Sequence, residues 1–288
     1  MKLLPLLKIT RAPNLITAIT DVIAGAFIVS GGIPEITVLM PLCLISVCLY
    51  AAGVVQNDIV DAKSDAVERP ERPLPSGAIN IIDAYYLSAV FFLSGLFLAK
   101  MIGTLTLLIS TLIVVSVFVY NCRAKNSRVF GSLIMGLCRA LNLSLGFTIN
   151  PIAFGIFIPL CLFPLFHIAG VTLVSRGEVD GLGRGELMSI LTFHICVLAG
   201  LVATASFDEN LISLLAIGLY AGVMVGGALP AMKDPIPGNI RLLVRNGIIA
   251  LSLLDASLVA IFVGIELAVI IICLGLLSRV LASYIEMT

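Results

Sequence analysis

The chain has 288 residues, of which 60% are hydrophobic and 12% charged, with a mean hydropathy of +1.15. This composition lies outside that of a soluble globular domain and describes an integral membrane protein. The formal net charge is zero, which removes the basic footprint of a nucleic-acid-binding protein, and the seven cysteines show no metal-ligand or disulfide-framework spacing and read as small core residues.

Residues 1–12 read as a short interfacial segment, because Lys8 and Arg11 interrupt the apolar run that a secretory signal would need. Apolar segments long enough to cross a bilayer follow at about 14–31, 37–56, 80–99, 102–121, 129–148, 151–174, 187–206, 210–231, 240–262 and 265–283. The last two are parted only around Gly264-Ile265-Glu266, so the segments make nine or ten spans. Placing the N-terminus in the cytoplasm puts nearly all lysines and arginines, from Lys8 and Arg11 to Arg241, Arg245 and Arg279, on that side. Lys100 falls clearly outside, and Arg139 lies within a span. The first span opens with Arg11-Ala12-Pro13-Asn14 and carries Asp21 about two turns in, where an ionisable residue signals either function or a partner on another helix.

The second span runs into the most polar stretch of the chain, Gln56-Asn57-Asp58-Ile59-Val60-Asp61-Ala62-Lys63-Ser64-Asp65. Continued as a helix, it places Asn57, Asp58, Asp61 and Asp65 within a sector of roughly 100°. Three carboxylates and an amide on one face call for positive charge between them. A hard dication such as Mg²⁺ answers that need, since it takes oxygen ligands from one or two carboxylates together with substrate phosphates. Glu68-Arg69-Pro70-Glu71-Arg72-Pro73-Leu74-Pro75-Ser76-Gly77 follows. Its prolines stiffen the segment, and Arg69 and Arg72 suit bidentate phosphate recognition.

Asn57-Asp58-x-x-Asp61-x-x-x-Asp65 followed by Glu68-Arg69-Pro70-x-Arg72-Pro73-Leu74-Pro75-Ser76-Gly77 resembles the first aspartate-rich signature of the UbiA superfamily of intramembrane prenyltransferases. The resemblance implies one domain over residues 1–288, an all-α transmembrane bundle with a polar cytoplasmic cap over a central cavity. It implies Mg²⁺ held by Asp58, Asp61 and Asp65 with Asn57 assisting, and Asn14 supplying an amide to a diphosphate. Tyr120-Asn121-Cys122-Arg123-Ala124-Lys125-Asn126-Ser127-Arg128 resembles the family loop in which a tyrosine and a lysine face the diphosphate. That points first to Lys125 and then to Tyr120 and Arg123; read without the resemblance, these are charges that set topology.

Arg139 and Asn142 share one face of an apolar span, so Arg139 either balances a helix carboxylate or reaches the diphosphate. The family's second aspartate-rich loop corresponds to Ser175-Arg176-Gly177-Glu178-Val179-Asp180-Gly181-Leu182-Gly183-Arg184-Gly185-Glu186, which departs from the usual DxxxD and looks most like the EboC-like subgroup. Glu178 and Asp180 are the candidates for its metal ligands, with Glu186 behind them. His167 and His194 read as core histidines. The stripe Gly218, Gly222, Gly226 reads as helix packing, and Asp255 must face the interior.

The expected activity is Mg²⁺-dependent transfer of an isoprenyl group from a prenyl diphosphate to a lipophilic or aromatic acceptor among the membrane lipids, releasing pyrophosphate. Arg69, Arg72 and Lys125 would stabilise the leaving group. A non-catalytic prenyl-diphosphate or lipid carrier is the alternative of a different class. An ion-coupled transporter using Asp21, Arg139 and Asp255 is a third reading. Acceptor, prenyl length and oligomeric state are not set by the sequence.

Overall fold

The computed structural model describes residues 3–207 and 211–285. The first two residues of the predicted interfacial segment and Asn210, where the eighth predicted span was to begin, lie outside them. Among the described residues there are helices and no strands, because a lipid-exposed backbone has to satisfy its own hydrogen bonds. The helices are α1 (Leu3–Ile9), α2 (Ala12–Ser30), α3 (Ile36–Glu68), α4 (Ile81–Ile102), α5 (Thr104–Cys122), α6 (Arg128–Phe147), α7 (Phe154–Phe157), α8 (Leu162–Ser175), α9 (Arg184–Phe207), α10 (Leu214–Lys233), α11 (Pro237–Phe262) and α12 (Ile265–Ile285). A single 3₁₀ turn, Ile158–Cys161, joins α7 to α8. Ten helical segments among the described residues are long and apolar enough to cross a bilayer. The last two are separate helices, reversed at Gly264, whose φ of 147° only glycine adopts readily.

Local signals in the chain set the ends. Asn80 caps α4 by accepting from the Ile82 amide at 2.9 Å, and Pro13 and Pro237 open α2 and α11, where a missing N–H is harmless. α2 lies at the centre, packed against α3, α6, α11 and α12. One buried core joins it to α8 through α11, including Leu143, Tyr220, Leu254 and Leu258. A second, built from Val22, Leu42, Ile45, Leu49, Ile113 and Leu145, joins it to α3 through α6. Around these cores Leu93, Phe97, Leu215 and Leu219 are exposed, as a lipid-facing surface requires. Cys122, Cys196 and Cys273 also lie on the surface, so core packing accounts for the other four cysteines only.

Close helix crossings rest on glycines of α6. A Cβ on Gly146 would meet the Val22 carbonyl, stand 2.7 Å from the Ala26 nitrogen and lie 2.9 Å from the Gly25 Cα. On another face of α6, a Cβ on Gly136 would meet the Leu165 carbonyl of α8. Because these obstacles are backbone, Gly146→Val has no side chain to displace. It is expected to cost about 1–3 kcal/mol or more, read as a lower melting midpoint in detergent. Of the Gly218, Gly222 and Gly226 stripe, by contrast, a Cβ on Gly218 or Gly222 would meet nothing within 4 Å, and one on Gly226 would lie 3.7 Å from Asn246 Nδ2 of α11. The first two glycines do not pack inside the bundle, and Gly227, beside Gly226, makes the closer contact with Leu243 and Asn246.

Candidate active site

α3 runs unbroken for 33 residues to Glu68, so the polar stretch is helical and turns one face inward. Asp58 and Asp65 are buried and Asp61 and Asn57 half-buried, whereas Val60, Lys63 and Ser64 are exposed. Each carboxylate meets a cation. Arg11 Nη2 lies 3.2 Å from Asp58 Oδ1, Arg72 Nη1 lies 2.7 Å from Asp65 Oδ2 and 3.7 Å from Asp58 Oδ1, and Lys125 pairs with Asp61.

Local backbone geometry delivers these cations. After α3 the proline-rich segment folds into successive turns, with Arg69 N bonded to Asp65 O, Arg72 N to Arg69 O and Ile79 N to Pro73 O. This reversal brings Arg72 back over the helix end. Lys125 sits in a one-turn 3₁₀ helix, Ala124–Asn126. Arg176 anchors that loop by donating to the Lys125 and Ser127 carbonyls at 2.9 and 3.2 Å. Arg11 lies at the break between α1 and α2 with φ 47° and ψ 53°, a left-handed conformation costly for a residue with a Cβ. The chain adopts it where the side chain reaches Asp58.

Two cavities open beside this face. One, of about 330 Å³, is lined on its polar side by Arg11, Asn14, Asn57, Tyr120 and Asn121. It continues between apolar walls that include Leu49, Ile113, Val117, Ile168 and Leu251. The other, of about 320 Å³, is lined by Lys8, Asp58, Arg72 and Glu178 among others. Arg11, Asn14, Ser175, Val244 and Ile248 border both, so the cavities share a wall.

Deeper in the membrane, Arg139 has partners of its own. It donates to Asp21 Oδ2 at 3.0 Å and Thr17 Oγ1 at 3.1 Å, and its guanidinium carbon stands 5.0 Å from the Tyr50 ring centroid. Asn142 Nδ2 also donates to Asp21, at 2.9 Å, and Thr20 donates to Asp255 at 3.0 Å. The arginine thus balances a helix carboxylate while still bordering the first cavity. His167 bonds Tyr220 and the Gly247 carbonyl at 3.0 and 2.8 Å, as a core histidine does.

The loop between α8 and α9 separates its two candidate ligands. Glu178 is half-buried and borders the second cavity, whereas Asp180 is exposed, and Glu186 is paired with Arg128. Burial pushes the Glu178 carboxyl above the ordinary carboxylate range, while Arg69 and Arg241 pull it the other way. A carboxyl raised in the folded state favours the fold less as pH climbs through its titration. Glu178→Gln is therefore expected to raise the melting midpoint of ligand-free protein at neutral pH but not in acid. Asp180→Asn should change neither, and thermal melts at the two pH values check both.

The donor set suits a hard cation, with three carboxylates, Glu178 across the cavity, and Asn57 Oδ1 buried without a hydrogen-bond partner among the described residues. No three acidic, histidine or cysteine side chains among the described residues converge to enclose an ion unaided. A hard cation here would have to take further oxygen ligands from a substrate or water.

The sequence profile of the UbiA prenyltransferase family matches residues 18–235. The chain belongs to the UbiA prenyltransferase family. Among curated UbiA relatives, digeranylgeranylglyceryl phosphate synthase of Thermococcus kodakarensis is 28% identical over 176 residues, covering 61% of this chain and 63% of the relative. The enzyme of that name from Sulfurisphaera tokodaii is 32% identical over 178 residues, covering 61% of this chain and 62% of the relative. The chain thus spans less than two thirds of the length of these curated relatives. The apo UbiA homologue from Aeropyrum pernix K1 superposes with a TM-score of 0.71 at 19% identity, over 85% of this chain and 97% of that one. The Archaeoglobus fulgidus UbiA homologue bound to GPP and Mg2+ superposes at 0.64 and 18% identity, over 90% and 99%. These likenesses establish a shared UbiA fold.

Of the predicted UbiA site residues, the structure gathers Asn14, Asn57, Asp58, Asp61, Asp65, Arg72, Tyr120, Lys125 and Glu178 at one end of the bundle. Arg69 makes no ion pair with the carboxylate face among the described residues but acts electrostatically on Glu178, and Arg123 is exposed. Sequence reasoning passed over Lys8, Arg11 and Asn121. For Arg11 the signal was present, a lone cation directly before the Ala12-Pro13-Asn14 helix start.

Proposed function

We propose that this UbiA-family protein transfers an isoprenyl group from a prenyl diphosphate to a lipophilic acceptor and releases pyrophosphate. The observation that carries the reading is the carboxylate and amide face of α3, paired with Arg11, Arg72 and Lys125, beside an apolar cavity that Arg11 and Asn57 border and a second cavity that Asp58 and Arg72 border. In this reading Asn57, Asp58, Asp61 and Asp65, with Glu178 opposite, hold Mg²⁺, and the exposed Asp180 stands outside the set. The ion supplies Lewis-acid neutralisation of the diphosphate.

The chain's own residues do the rest. Arg11, Arg72 and Lys125 neutralise the carboxylates when no substrate is bound, and on loading they turn to the diphosphate oxygens, where they stabilise the charge that grows on the leaving pyrophosphate. Asn14 donates an amide N–H from the wall that the cavities share. Leu49, Ile113, Val117 and Leu251 take the prenyl tail and keep water from the allylic cation. The site faces the cytoplasm, with the N-terminus on the same side. The names of the curated relatives favour an acceptor built on a glyceryl phosphate over an aromatic one.

The test is pyrophosphate release by the purified protein in detergent with farnesyl or geranylgeranyl diphosphate and a prenylglyceryl phosphate, with Mg²⁺ and then with chelator. Metal-dependent release with formation of a prenylated lipid is expected. Metal-dependent donor binding without turnover would instead establish a carrier.

A further inference from the structure

Two carboxyls and one guanidinium share the middle of the bundle. Asp21 of α2 and Asp255 of α11 are fully buried, and Arg139 of α6 is the cation that acts on both. The other charged groups on the helices around Asp255 lie elsewhere. Arg241 and Arg245 of α11, Lys233 of α10, and Glu266 and Arg279 of α12 are exposed. His167 of α8 is bonded to Tyr220 and the Gly247 carbonyl, and Tyr50 of α3 meets Arg139 by its ring.

The two carboxyls also meet each other. Thr20, next to Asp21 in the chain, donates to Asp255 Oδ2 at 3.0 Å, and Asp255 stands within hydrogen-bonding reach of Asp21. Arg139 Nη1 and Asn142 Nδ2 both donate to Asp21 Oδ2. Asp21 Oδ1 and Asp255 Oδ1 are left buried with no hydrogen-bond partner among the described residues. Two ionised carboxylates repel at such a separation, and in a dry interior one member of the pair keeps a proton.

A single proton removes the surplus negative charge and the repulsion, and it turns one carboxyl into the donor that the cluster lacks. Asp255 is that donor, because Asp21 already accepts two hydrogen bonds and carries the charge that balances Arg139. A metal ion in the proton's place would need several oxygens converging on one point. No three acidic, histidine or cysteine side chains among the described residues do so.

We propose that Asp21 and Asp255 form a proton-binding site, in which a neutral Asp255 donates to the Asp21 carboxylate and fastens α11 to α2 in the middle of the membrane. The proton makes the cluster with Arg139 neutral as a whole, as ionisable groups inside a bilayer require. The site is independent of the transferase reading, since neither carboxyl borders either cavity.

Infrared absorption of the purified protein in an ester-free detergent tests this at about pH 8, where hydrated carboxyls are ionised and a protonated one gives a separate C=O band. Wild type should show that band, shifted in D₂O, and Glu178→Gln should keep it. Asp255→Asn should lose it with a nearly unchanged melting midpoint, because the new amide donates to Asp21 in the proton's place. Asp21→Asn should lose it too, because Asp255 then ionises to balance Arg139. Asp255→Leu should melt below Asp255→Asn, since it offers Asp21 no donor.

A wild-type spectrum without the band overturns the proposal whether or not any variant folds. So does a band that survives Asp255→Asn or Asp21→Asn, or one that disappears in Glu178→Gln. A wild-type melting midpoint that rises in sodium over choline at equal ionic strength, with the rise absent in Asp255→Asn, would put a metal ion between the carboxyls and overturn it as well.

Discussion

Asp61→Asn is expected to lower pyrophosphate release by about 10²-fold or more, because one carboxylate fewer weakens the hold on the Mg²⁺ that would neutralise the diphosphate, while leaving the fold intact. The substitution keeps the shape of the side chain and removes its charge. Its partner Lys125 has a side chain 31% exposed, so the ammonium left behind stays hydrated and strands no buried charge. Titration of donor and Mg²⁺ against the variant should show weakened metal-dependent binding, with an unchanged melting midpoint in the ligand-free protein. Asp21→Asn is the contrasting substitution, since a transport pathway through Asp21, Arg139 and Asp255 would make it the more damaging to function. Turnover that survives Asp61→Asn but not Asp21→Asn would reverse the assignment.

The largest expected effect on stability belongs to Arg139→Met. Asp21 is fully buried, and Arg139 is its cationic partner at 3.0 Å. Methionine fills much of the same volume but leaves Asp21 facing only Asn142 Nδ2, with Asp255, also fully buried, nearby. Removing one member of a buried pair costs about 3–5 kcal/mol, chiefly because the survivor is uncompensated. The double variant Arg139→Met/Asp21→Asn should recover most of the loss, as replacing both members removes the stranded charge. Melting midpoints of wild type, both singles and the double close the cycle, and a double no better than Arg139→Met alone would refute the pairing account.

How far the molecule was legible depended on whether a feature is local. The carboxylate face was readable because Asn57, Asp58, Asp61 and Asp65 follow helical spacing on one uninterrupted element. The ten crossing segments were readable because hydropathy is a property of contiguous residues; the doubt over the last pair turned on one glycine's φ. Arg139 and Asp21 were each conspicuous as charges in apolar spans, but 118 positions separate them and only the packing of α6 on α2 joins them. Arg11 reaches Asp58 across 47 positions through a left-handed residue that no periodicity announces. Glu178 and Asp180 were equivalent in sequence and part company because the turns between α8 and α9 aim one side chain inward and the other out.

α3 also joins two requirements that a membrane enzyme could have kept on separate parts. Leu49, Gly53 and Asn57 border the apolar cavity and Asp61 and Asp65 carry the charged head, all on one helix whose internal proline, Pro41, lies outside that stretch. From Leu49 to Asp65 the helix climbs sixteen rises, a rigid rod of about 24 Å at 1.5 Å per residue. Under the transferase reading this rod is a ruler with its zero mark at the carboxylates, and the length of tail it admits is set by which graduation carries a bulky side chain. Exchanging Leu49 for a larger or smaller residue would then shorten or lengthen the preferred donor and leave the zero mark in place, so tail selectivity can drift in evolution without the chemistry at the head having to be rebuilt.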